Sequence, residues 1–101
     1  MFLLATINYP TAEANKMANM FVKVTATPLP SFVKRLHVLT TAKGDAGIKV
    51  VGIYEVDDNK IKDAFVELTK YYVQYYDIPG FKYEIEPMLT AQEAIPLVLK
   101  R

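Results

Sequence analysis

His37 is the only histidine in the 101-residue sequence and the first residue to weigh as a reactive group. It falls in the run FVKRLHVLTTA, flanked by Arg35 and Leu39, where a half-buried imidazole is able to act as a general base. Tyr54 and Asn8 are the polar side chains that would complete a small catalytic set with it. A lone histidine without an orienting motif more often sits in an interface, hydrogen-bonded to a carboxylate or a carbonyl. Thr6, Asn8 and Tyr9 close the first apolar run and are able to line a small ligand cleft, with Tyr54 across the sheet and Tyr71 at its border. The plainer role for Asn8 and Thr11 is to serve the turn and the helix cap that follow. There is no cysteine, which removes disulfides, thiolate metal sites and a cysteine nucleophile together. One histidine among dispersed carboxylates has no metal-ligand spacing, and Asp57-Asp58 reads as a helix cap rather than a cation site. GDAG precedes a strand and is a hairpin, not a phosphate loop. No cofactor and no metal are expected.

The elements that must position these residues follow from periodicity. FLLATINY (2–9) reads as a strand with two apolar faces, Phe2, Leu4 and Thr6 on one and Leu3, Ala5 and Ile7 on the other. Pro10-Thr11 stops it and offers an N-cap. AEANKMANMFVKV places Ala14, Met17, Met20, Phe21 and Val24 on one helical stripe. Residues 32–42 and 48–56 read as strands joined by KGDAG. Antiparallel pairing across that loop sets Arg35 against Glu55, His37 against Ile53 and Leu39 against Val51, with Leu36 meeting Tyr54 and Thr40 meeting Val50 on the other face. DDNKIKDAFVELTKYYVQYYD reads as the second helix, capped by Asp57, Asp58 or Asn59 and ended by IPGF. FKYEIEPML (81–89) is a fourth strand with Phe81, Tyr83 and Ile85 inward and Pro87 near an edge. TAQE has capping-box spacing and starts a short helical tail that Pro96 interrupts or bends.

The order βαββαβ plus a tail is the split βαβ pattern of an α+β, ferredoxin-like sandwich over residues 1–101, a single domain with a four-stranded antiparallel sheet and both helices on one face. The four tyrosines in KYYVQYYDIPGF divide on a helical projection: Tyr72 and Tyr75 toward the core, Tyr71 and Tyr76 at its rim.

Hydrophobic residues make up 51% of the chain, too many for disorder, and a formal net charge of +1 provides no field for nucleic acid or an anionic membrane. No apolar run approaches the roughly 20 residues of a membrane span, and the start lacks a signal peptide's basic head and longer apolar region. The expectation is a soluble cytoplasmic protein. Two helices leave one sheet face uncovered. That face is expected to carry Leu3, Ala5, Ile7, Val33, Leu39, Val51, Ile53 and Met88, mixed with Arg35, His37, Lys49, Lys82, Glu84 and Glu86. This is too much apolar surface for a comfortable monomer. A homodimer through Leu3, Ala5, Arg35, His37, Leu39, Val51 and Ile53 is expected; the alternative is that AIPLVL folds back over part of the face.

GIKVVGIYEVDD running from strand to helix, the doubly apolar first strand and the closing FKYEIEPMLTAQEA together resemble small members of the dimeric α/β-barrel superfamily. The resemblance covers nearly the whole chain. It implies two ferredoxin-like subunits packed sheet to sheet, and in some members a small apolar molecule bound or transformed between helices and sheet. The asparagine, tryptophan and histidine set of haem-degrading members is broken here, because there is no tryptophan. NYPT lacks the arginine that acylphosphatases need after strand one. KVVGIYEV lacks the spaced aromatics of RNA-recognition domains, so no nucleic-acid partner is expected. The expected function is a homodimeric module that binds a small apolar molecule or serves a structural or regulatory role. The alternative is a cofactor-independent monooxygenase-like or isomerase-like enzyme acting on an apolar or aromatic substrate through His37, Tyr54 and Asn8. A cleft solidly filled by Phe21, Phe65, Leu68 and Tyr72 would remove that alternative.

Overall fold

The β-prone opening run forms strand β1, Phe2–Tyr9, and Pro10 ends it by removing a ladder donor. The computed structural model describes residues 1–99. After β1 come helix α1 (Ala14–Thr25), strands β2 (Val33–Ala42) and β3 (Ile48–Val56), helix α2 (Ile61–Val73), strand β4 (Lys82–Met88) and helix α3 (Ala91–Leu99). The protein is α+β: among the described residues there are a four-stranded antiparallel sheet in the order β2-β3-β1-β4 and three helices. No described helix is long and apolar enough to cross a membrane.

Single 3-10 turns, Thr11–Glu13 and Asp58–Lys60, lead into α1 and α2 without a side-chain cap. The expected cap residues are engaged elsewhere. The Thr11 hydroxyl donates to the Gly44 carbonyl at 2.8 Å, and Asp58 Oδ1 accepts from the Met1 ammonium at 2.7 Å. The capping box does form at α3: the Thr90 amide donates to Glu93 Oε1 at 3.0 Å and the Glu93 amide to Thr90 Oγ1 at 3.1 Å. α3 continues through Pro96 to Leu99. It does not fold over the sheet as a cover, because Ile95, Leu97, Val98 and Leu99 stay 53–78% exposed.

One face of the sheet carries the core. Leu3, Ala5 and Ile7 are 0–6% exposed and pack with Met17 and Val24 of α1 and with Ala64, Leu68 and Tyr72 of α2. The expectation that Leu3, Ala5, Ile7 and Val33 line the uncovered face is therefore reversed. Pairing shows the reason: Ala5 sits opposite Ile85 of β4, whose own alternation is unambiguous. The uncovered face is made of Phe2, Leu4, Thr6 and Asn8 with their partners. Across it, Ile53 lies between His37 and Leu4, and Val51 between Leu39 and Thr6. His37, Leu39, Val51 and Ile53 thus occupy the face foreseen for them.

α2 stops at Val73, short of the tyrosine pair Tyr75-Tyr76, and the chain descends to β4 through successive turns. Gly80 closes this descent at φ +76, where a Cβ would stand 2.6 Å from the Pro10 ring. Tyr72 and Tyr75 are core residues as expected; Tyr71, placed at the rim by projection, is also buried at 8% exposure. Tyr76 alone remains outside, its hydroxyl 3.1 Å from that of Tyr83.

Candidate functional site

The site begins with an extra residue in β2. The ladder pairs His37 with Ile53, Leu39 with Val51 and Thr40 with Val50, as antiparallel pairing predicts. Between Arg35 and His37 the register shifts by a bulge at Leu36, so Lys34 takes the place opposite Glu55 and Arg35 stands opposite Tyr54. The expected Arg35–Glu55 and Leu36–Tyr54 pairs do not form. Lys34 satisfies the same charge pattern as Arg35, which is why the sequence does not betray the shift. Its effect is to turn Arg35 from the uncovered face to the covered one.

There Arg35 meets aromatic rings. Its guanidinium carbon lies 5.6 Å from the Tyr54 ring centroid and 5.5 Å from that of Tyr71. Burial lowers its pKa, but the neighbouring Tyr71 and Tyr54 hydroxyls raise it by more, so the side chain stays cationic. The Tyr54 hydroxyl is 2.9 Å from that of Tyr72, and the Tyr71 hydroxyl donates to the Thr27 carbonyl at 3.3 Å.

These residues form one end of a cleft of about 370 Å³ between α1 and the sheet. Its floor follows β3 from Tyr54 through Gly52 to Val50, about 13 Å of strand. Met17, Ala18 and Phe21 of α1 form one wall, and Tyr72 and Tyr75 contribute to the other. Gly52 keeps the floor low: a Cβ there would lie 2.9 Å from the Tyr54 ring. The space is not filled by Phe21 and Phe65, which remain 42% and 47% exposed. Burial pushes the Tyr75 phenol up to about 12, and burial together with the Tyr54 hydroxyl pushes Tyr72 higher. Both phenols are therefore neutral near pH 7, able to donate hydrogen bonds and unable to act as bases.

Of the residues foreseen for a site, Tyr9, Tyr54 and Tyr71 line this cleft. Thr6, Asn8 and His37 do not: they belong to the other face of the sheet. Asn8 instead borders a shallower hollow with Pro10, Asp45 and Gly80. His37, Tyr54 and Asn8 are thus separated by the sheet and cannot converge on one substrate atom. Among the described residues no three His, Asp or Glu side chains gather to hold a metal. Arg35 is the polar cleft residue that sequence reasoning assigned to the wrong face.

No family model matches the sequence. No curated protein matches it either. Among solved structures, the chain is similar to the solution structure of the C-terminal domain of the MgtC protein from Mycobacterium tuberculosis. That likeness has a TM-score of 0.47 and 14% sequence identity, and covers 89% of this chain and 90% of that one.

Proposed function

We propose that the protein is a small-molecule-binding module of ferredoxin-like build, with the cleft between α1 and the sheet as its binding site. Read from the other edge, the strand order is β4-β1-β3-β2, which together with the βαββαβ sequence supports that build. The observation that carries the functional reading is the cleft itself. A cavity of about 370 Å³ with apolar and aromatic walls and a few polar groups at one end has the character of a ligand site. A screen of small apolar and aromatic compounds by thermal melting tests it. Stabilising compounds are expected, and Ala18→Trp, which fills the cleft from α1, is expected to abolish their effect. A screen without a stabilising compound, or shifts that persist in A18W, would end this reading.

The uncovered face supports a homodimer. Leu4, Ile53, Val51 and Leu39 form an apolar strip, with Glu84 and Glu86 on β4 at one side and Lys34 and His37 on β2 at the other. A two-fold axis parallel to the strands lays β4 of one copy over β2 of the next, with Glu86 over His37, while the apolar strips meet. Sedimentation at micromolar concentration is expected to give a dimer that Leu39→Glu dissociates. A monomer in the unaltered protein would refute it.

A further inference from the structure

Arg35 is a half-buried cation at the end of an apolar cleft. A charge taken from water into an apolar cleft loses hydration, and aromatic faces restore only part of it. Tyr54 and Tyr71 provide those faces. The Tyr71 and Tyr54 hydroxyls also help to hold the charge, but Arg35 Nε is buried without a hydrogen-bond partner among the described residues, and none of the ion pairs found there includes Arg35. Neither phenol supplies a counter-charge: the Tyr54 hydroxyl is also paired with that of Tyr72, and the Tyr71 hydroxyl donates to the Thr27 carbonyl. An arginine with no structural counter-ion, turned inward by a bulge onto the end of an apolar cleft, has the arrangement of a receptor for an anion.

We propose that the cleft binds a monocarboxylate with an apolar body, the carboxylate resting on Arg35 and the hydrocarbon or aromatic part lying along Gly52 and Val50 beneath Met17 and Phe21. This rests on the cleft being a binding site and adds the charge and polarity of its ligand. A single cationic side chain lines the cleft, so one negative charge is matched and a phosphate dianion would bring a second charge with no partner. The two oxygens of a carboxylate also fit the guanidinium fork. A wholly neutral ligand would bury Arg35 more deeply and compensate nothing.

Matched acids and amides separate the two layers of the argument. Calorimetric titration of the full chain with 2-naphthoate and 2-naphthamide, and with decanoate and decanamide, is expected to show each acid binding at least about tenfold tighter than its amide. Arg35→Met, which keeps the apolar stem, is expected to bring the acids down to the level of the amides, and Arg35→Lys to preserve part of the preference. Acid and amide binding equally, with A18W weakening both, would overturn the carboxylate assignment and leave the cleft standing as a binding site. No binding by any of the four, or binding untouched by A18W, would overturn both. Arg35→Met also removes two aromatic contacts, so if that variant does not fold, the acid–amide ratio in the unaltered protein decides the matter.

Discussion

The two faces of the sheet are built from the same strands, yet they differ in apolar content and in surroundings. On the covered face Leu3 and Ala5 are 0–1% exposed beneath two helices. On the other, Leu39 is 57% exposed and shares its face with His37, Lys34, Glu84 and Glu86. The covered face holds one charge in its cleft, Arg35, set between two tyrosine rings. The open face spreads its charges along its edges. The covered face is the more apolar of the two, and the faces also differ in whether charges are held within the apolar surface or placed around it.

Paired truncations give the sharpest test of this contrast. Leu3→Ala is expected to cost about 2–5 kcal/mol, read by denaturant unfolding, because a cavity opens in packed surroundings. Leu39→Ala is expected to change the monomer by no more than about 0.5 kcal/mol, as exposed positions do, and to lower stability further only at concentrations where copies associate. Equal costs in dilute solution would break the distinction between the faces.

Gly52→Ala probes the covered face alone. Its Cβ would displace the Tyr54 ring, at an expected cost of about 1–3 kcal/mol, and raise the cleft floor. Loss of both stability and ligand response is expected. Unchanged melting would mean that the ring moves freely, contrary to its packing.

A smaller effect separates the faces by pH. Tyr75 has its pKa raised to about 12 from 10.0, and Tyr72 is raised too. A raised folded-state pKa means that the folded state holds its proton more firmly than the unfolded chain. The stability tied to these phenols is thus complete below about pH 10 and falls as pH rises toward 12. Ultraviolet titration should show Tyr72 and Tyr75 ionising late, with unfolding. Their ionisation at the ordinary pH in a folded chain would contradict the burial.

Much of this arrangement is legible in the sequence. The strands and both larger helices follow from period, and the antiparallel match of His37 with Ile53 and of Leu39 with Val51 follows from the loop between β2 and β3. The face of β1 does not follow, because both of its alternating sets are apolar and alternation carries no sign. The missing sign was available in β4, where Tyr83 and Ile85 alternate with charges and pair with Ile7 and Ala5 of β1, while Phe81 falls just before the strand. Arg35 was illegible for another reason. No glycine or proline marks the bulge, and Lys34 beside it offers Glu55 an equivalent charge. Tyr71 was misplaced by a helical projection that ignores the connector at Thr27, onto whose carbonyl its hydroxyl folds.

Leu36 has a consequence for length variation in β2. It is a residue the ladder has absorbed without a partner, between Arg35 opposite Tyr54 and His37 opposite Ile53. Excising it would leave those two pairings adjacent and every neighbouring side chain on its present side. Excising any residue from Val38 to Thr41 would instead put the strand beyond it out of phase. β2 is therefore free to differ by one residue at a single point, and chains of this build that are one residue shorter should lose it there.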